Sequence, residues 1–338
     1  MKGYNQEYLS LKRTSSRIFP ERKYFGVKRI FKTIFLRLLI SVGYAVMIGY
    51  ITHFYTDFIL PINTLSYISI VMGMLIAFRT NTAYDRYYEG RKVWGSVEEI
   101  SINVIRSIHC SIKASSSKEE TNKIQAIKNV VVLPYAMMYY LMGKPEYVSS
   151  RMLLLLSPSM KSAIHANSIA RGYGSTDTDL DSVVKDNQDS VLSNRTFNYG
   201  DLNMPLRITY ELIEYLEQLE SDVVKPQVYI QIYNSVNSLS NAFNSCLRIQ
   251  TTPLPVSYSS HLYQTINLYL LFLPFSLVGF NLFIMGAVQL LVSFIFMGTL
   301  AIGEEIEDPF GDDDNDLPLI KFCNNLYEEM TFMLNHNK

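Results

Sequence analysis

From Leu282 to Ile302 the chain carries no charged residue. A stretch of about twenty such residues is the length a helix needs to cross ~30 Å of hydrocarbon. No other feature narrows the fold as much, because only helices and closed barrels satisfy their backbone inside lipid. Apolar residues also gather near 35–78 and 264–302, while the stretches between are polar and charged. The pattern predicts four spans in two hairpins. The first is Leu36–Tyr55, with Arg37 at its leading edge, where a long cation can snorkel to the interface. The second is Ile62–Phe78, which is uncharged, and only Thr56-Asp57-Phe58-Ile59-Leu60-Pro61 separates the two. The third is Thr265–Phe280, interrupted by Pro274, and the fourth is Leu282–Ile302. The first and fourth stand alone as spans. The second and third are short, which suits helices partly buried in protein.

Orientation follows from Lys and Arg. Lys12, Arg13, Arg17, Arg22, Lys23, Lys28, Arg29 and Lys32 precede the first span, and Arg79, Arg86, Arg91 and Lys92 follow the second. Arg248 precedes the third. Both ends of each hairpin, and so both termini, are expected in the cytoplasm.

The net charge of −1 gives no basic excess for nucleic acid. Cys110, Cys246 and Cys323 are far apart and form no C-x-x-C pair, so neither a disulfide framework nor a zinc site is expected. His53, His109, His165, His261 and His336 show no metal-ligand spacing. The polar N-terminus lacks the apolar core of a signal peptide, and Glu7 and Glu21 argue against a transit peptide and hence against a thylakoid location. The membrane expected is the plasma membrane or another cell membrane.

Residues 79–260 read as a helical region outside the bilayer. Val97, Ile100, Val104, Ile108 and Ile112 follow a helical period. Ser96 and Glu99 have capping-box spacing, although the helix could run through unbroken from the second span. Ile208, Leu212, Tyr215 and Leu219 form a second apolar series. Val228, Ile232, Val236, Leu239 and Phe243 form a third, with Pro226 placed to start it. Residues 172–203 are rich in Gly, Ser, Asp and Asn and read as a flexible insert. Residues 303–338 read as an acidic segment and a C-terminal helix. The hairpins, far apart in sequence, must pack together, so 1–338 is expected to be one domain.

Three segments occur in order around the spans. Phe78 through Gly95 contains Arg79, Asp85, Arg86, Glu89, Arg91 and Trp94. Arg248 through Tyr258 contains Thr251-Thr252-Pro253-Leu254-Pro255. Gly303 through Asp316 contains Glu304-Glu305-Ile306-Glu307-Asp308-Pro309-Phe310-Gly311. Together they resemble the bestrophin family with its prokaryotic, fungal and plant branches. The resemblance covers nearly the whole chain except the insert and the far N-terminus. It implies an all-α membrane protein that assembles as a homopentamer around one axial pore. Such a protein conducts chloride and other small anions, without being an enzyme. Some prokaryotic relatives conduct cations, and a non-conducting scaffold or regulator of other channels is a further reading.

The family's hydrophobic neck falls on Ile70, Met74 and Phe78, where relatives more often carry Ile or Phe in the middle. Read from the residues alone, positions i, i+4 and i+8 form one helical stripe, which serves equally for ordinary packing. Rings of apolar side chains gate by dewetting. The resemblance also places a cytosolic aperture at Val223, just before Pro226. It implies a Ca²⁺ clasp at Glu305, Asp308, Asp313 and Asp316, oxygen ligands of the kind Ca²⁺ takes. Glu305 and Asp308 stand where animal relatives have amides. A solvated acidic loop, or one paired with Arg86 or Arg91, is the alternative.

Arg79, Asp85, Arg86, Glu89 and Arg91 read as a salt-bridge network between helices or subunits, or as a field steering anions. Asp312-Asp313-Asp314-Asn315-Asp316 satisfies the D-D-x-x-D pattern of Mg²⁺-dependent prenyl transfer. That chemistry needs a second acidic motif, and the nearest candidate, Asp177-Thr178-Asp179-Leu180-Asp181, lies in the insert. The same run fails as an EF-hand at Ser182 and Gln188. Asn194-Arg195-Thr196 is a sequon on the side expected to be cytoplasmic.

Overall fold

The computed structural model describes residues 25–55, 60–145, 147–162, 203–219, 223–313 and 315–335. The insert (apart from Asn203), the Asp177 run and the sequon lie outside them. Helix is the only regular structure among the described residues. In chain order the helices are α1 (Phe25–Tyr55), α2 (Ile62–Ser111), α3 (Ser117–Leu141), α4 (Ser150–Leu155), α5 (Met204–Glu217), α6 (Pro226–Thr251), α7 (Val256–Ser276), α8 (Leu282–Glu305) and α9 (Leu319–Asn335). They fall into two compact units, Met1–Thr82 with Pro255–Glu305, and Ala83–Leu254 with Ile306–Lys338.

In the first unit α1 packs most extensively on α8, and α7 packs on both. The expected hairpins therefore do meet. A glycine sets the closest approach: a Cβ on Gly49 would lie 2.7 Å from Leu282 Cδ2 and Met285 Sδ. Without a side chain there, α1 comes against the start of α8, as small residues permit between membrane helices. Ile34–Thr52 and Leu282–Glu305 are long and apolar enough to cross a membrane. Their outer faces carry exposed Leu36, Leu39, Ile40, Phe283, Leu291 and Phe294. So much contiguous apolar surface is costly in water and neutral in lipid.

The interior of this unit holds a polar cluster around Gln289, and Pro274 accounts for it. Proline has no N–H, so the carbonyl of Leu270, four residues back in α7, loses its helical donor. Gln289 Nε2 on α8 donates to that carbonyl at 3.0 Å and also to Ser41 Oγ at 2.8 Å. Ser41 Oγ lies 2.8 Å from Ser293 Oγ, and Tyr44 Oη donates to Leu271 O at 3.2 Å. Gln289 and Ser293 are fully buried. The third span was expected to reach Phe280. Instead α7 ends at Ser276, soon after the proline, and Gly279 follows at φ +99°, a left-handed conformation that favours glycine.

In the second unit the expected series become core. Val97, Val104 and Ile108 of α2, and Ile112 just past its end, are buried with Ile208 and Leu212 of α5 and Ile232, Val236, Leu239 and Phe243 of α6. Ile100, Tyr215, Leu219 and Val228 pack against them half-buried. Pro226 opens α6 as expected. The Ser96–Glu99 spacing starts nothing, because α2 runs unbroken through it. A working capping box lies at Ser116 and Glu119. Glu119 N–H donates to Ser116 Oγ at 3.2 Å, and Ser115 N–H donates to Glu119 Oε2 at 2.8 Å. The Ser115 bond, with the Ser116 hydroxyl donating to Glu119 Oε1 at 2.8 Å, holds the Glu119 carboxyl below the usual carboxylate range.

Candidate pore-lining helix and its charged flank

Within the first unit α2 has two unlike apolar faces. Leu65, Met72 and Ile76 are buried in the core shared with α7 and α8. Ile70, Met74 and Phe78 lie on the opposite side of the helix and are 71%, 60% and 54% exposed. At 100° per residue the two sets are about half a turn apart. Packing within the first unit is therefore taken up by the other face, and the stripe stays open among the described residues.

The charged residues that follow reach other helices. A network between helices was expected, and the structure joins Arg79, Arg86 and Glu89 to partners distant in sequence. Arg79 is buried, with Nη2 3.7 Å from Glu304 Oε1. Arg86 donates to three carbonyls: Ile249 O at 2.5 Å, Thr252 O at 2.5 Å and Glu307 O at 3.1 Å. Two of these belong to the end of α6, where carbonyls lack helical donors. Glu307 completes the clasp by accepting from Leu254 N–H at 2.8 Å. Glu89 takes Arg248 at 2.8 Å. Arg91 lies 3.3 Å from Glu98 and stacks over Phe322 at 4.3 Å. Burial raises the Glu98 carboxyl above its ordinary value, and Arg91 works against that. Asp85 is exposed. The motif from Arg79 to Arg91 is therefore a set of structural anchors, with Arg86 clamping the segment that leads into α7.

The acidic residues are arranged as a turn. Asp308 Oδ1 accepts from Phe310 N–H at 3.2 Å, and Asp316 Oδ2 accepts from Asp313 N–H at 2.6 Å. Lys144, not Arg86 or Arg91, pairs with Asp312 at 3.1 Å. The turn is locked to α2 through Gly90, where a Cβ would meet Pro309 Cγ at 2.8 Å and Phe310 Cζ at 3.2 Å. Phe310 is fully buried. Glu305 Oε1 is buried without a hydrogen-bond partner, an acceptor a cation would satisfy. One oxygen each of Asp308 and Asp316 accepts a backbone amide, and among the described residues no three Asp, Glu, His or Cys side chains are grouped to hold a metal.

Val223 is half-buried against the helical core, and its carbonyl accepts from Lys113 N–H at 3.5 Å. Sequence reasoning passed over Gln289, Ser41, Tyr44 and Tyr263. A lone amide in an uncharged run, facing a helix that contains a proline, was the available signal.

This arrangement defines an all-α membrane protein whose second helix turns an unburied apolar stripe outward above a flank of anchored charges. The family model described as bacterial/fungal bestrophin protein matches residues 12–331, and the chain belongs to the bestrophin family. A voltage-dependent anion channel-forming protein of Nostoc sp. is 34% identical over 76% of this chain and 73% of its own length. The similarly named protein YneE of Escherichia coli strain K12 is 27% identical over 88% of this chain and 84% of its own. A bestrophin homologue from Klebsiella pneumoniae, solved as a point mutant, superposes with a TM-score of 0.70 at 22% identity, covering 89% of this chain and 98% of that one. A second mutant of the same homologue gives 0.71 at 23% identity, covering 90% and 97%.

Proposed function

We propose that the protein is a subunit of a homopentameric channel that passes chloride and other small anions through one axial pore. The observation that carries this is the stripe Ile70–Met74–Phe78, exposed in the subunit while the opposite face of α2 is packed. A fivefold axis would turn it into three stacked apolar rings. Water leaves a narrow apolar tube readily, and ions do not cross without it, so such rings set a barrier that small changes in width control. Alkyl and aryl walls offer an ion no compensating charge. The choice of sign then belongs to fields at either end of the neck, and helix N-termini directed at the axis would favour anions. The curated relatives, named as anion channel-forming proteins, support the same sign. In this reading both termini face the cytoplasm and Val223 rings the cytosolic exit.

Planar-bilayer recording of the purified protein under voltage clamp tests the proposal. Replacing chloride with a large organic anion should shift the reversal potential. A reversal that follows sodium overturns the anion assignment, and a silent bilayer turns the protein into a scaffold.

A further inference from the structure

In the first unit, near the ends of α1 and α8 that the charge pattern assigns to the cytoplasmic leaflet, lies a cavity of about 270 Å³. Its lining is Arg37, Tyr263, Ile266, Asn267, Met297 and Leu300. The polar members converge. Arg37 Nη1 lies 3.5 Å from Tyr263 Oη, and its guanidinium sits 5.6 Å from the centre of the Tyr263 ring. Tyr263 Oη donates in turn to Glu304 Oε2 at 2.8 Å. Glu304 is the carboxylate facing buried Arg79 at 3.7 Å. Tyr263 thus stands between Arg37, which is exposed, and the carboxylate that faces Arg79.

The other walls are apolar, and the surface beside Arg37 consists of exposed Leu36, Leu39 and Ile40. A cation beside an amide, backed by alkyl groups and opening among lipid-facing side chains, suits a ligand with an anionic head and hydrocarbon tails. The volume is small for a drug-like molecule and adequate for a phosphodiester head. Guanidinium pairs with phosphate through charge-assisted hydrogen bonds.

We propose that this cavity binds the phosphodiester headgroup of an anionic phospholipid from the cytoplasmic leaflet. Arg37 holds the phosphate, Asn267 supports it, and the acyl chains run along Leu36 and Ile40. The site lies within one subunit and takes its leaflet from the charge pattern alone. It does not need the channel to be selective for anions, so its failure would be separate from that of the functional proposal.

Native mass spectrometry of the purified full-length protein tests it, with phosphatidylglycerol, phosphatidylcholine or inorganic phosphate titrated into the detergent. Phosphatidylglycerol should give a defined, saturable adduct per subunit. Phosphatidylcholine should bind weakly, and inorganic phosphate should not displace the lipid. Arg37→Gln should weaken the adduct about tenfold, the scale of one lost charge-assisted bond. Met297→Phe, which fills the cavity and keeps the charge, should weaken it as well, so a folding defect in one variant does not decide the matter. Equal binding of the two lipids, full displacement by inorganic phosphate, or unchanged binding to both variants would each overturn the proposal.

Discussion

Gln289 donates to the Leu270 carbonyl only because residue 274 has no N–H to offer it. Replacing Gln289 with Met keeps the volume and removes the donor. The loss is two hydrogen bonds, to Leu270 O and to Ser41 Oγ. Interhelical hydrogen bonds in membrane proteins contribute about 0.6 kcal/mol each on average and at most about 1.7. The substitution also removes the buried Gln289 Oε1, which has no partner and opposes folding. The net cost of Gln289→Met should therefore be about 1 kcal/mol. Pro274→Ala restores a backbone donor to Leu270 O, so in that background the same substitution should cost roughly half as much, since only the serine contact is lost. Equilibrium unfolding in detergent micelles, read by circular dichroism on the four proteins of the cycle, measures this. An equal cost in both backgrounds would refute the account of Gln289 as the substitute donor.

Three other outcomes follow from the geometry. Met74→Ala and Phe78→Ala should leave assembly intact, because both side chains are more than half exposed within the subunit. They should raise single-channel conductance by widening the neck, and unchanged conductance and rectification would remove the stripe from the pore. Glu98 has a raised carboxyl in the folded protein. Between its ordinary and its folded value the folded state holds a proton that the unfolded chain has lost. Its contribution to stability is therefore full below the ordinary carboxylate value and fades as pH rises through the folded one. Melting temperature measured against pH should show that decline in the native protein, and Glu98→Gln should flatten it. Finally, with Asp308 and Asp316 bonded to amides, currents should not respond to Ca²⁺ chelation, and Asp313→Asn should conduct as the native protein does; a Ca²⁺-dependent current abolished by that variant would restore the clasp.

The parts of the fold set by hydrophobic pattern were legible in the sequence. Leu36–Tyr55 and Leu282–Ile302 lie inside α1 and α8, and the apolar series beginning at Val97, Ile208 and Val228 are core or packed against it. What the pattern did not show was where helices stop. The charges from Arg79 to Arg91 looked like an end to the second span, but charged residues are good helix formers, and α2 continues to Ser111. Helix α3 escaped notice because residues 130–138 are buried on all sides, which leaves no amphipathic period to read. The partners of Arg79, Arg86 and Glu89 were illegible because they come from Glu304, Ile249, Thr252, Glu307 and Arg248, and short-range spacing carries no information about them. The stripe itself was legible as a stripe. Only the burial of the opposite face showed that the described part of the first unit packs elsewhere.

Gly90 leaves α2 bare at one point, and Phe310 fills the bare place. Freeing that ring to water would cost roughly 2–3 kcal/mol. The turn bearing Asp312 and Asp313 is in that respect not a wandering loop but an appendage carried by the helix. Its carboxylates accordingly form an electrode of constant position, and added salt can screen that electrode without relocating it.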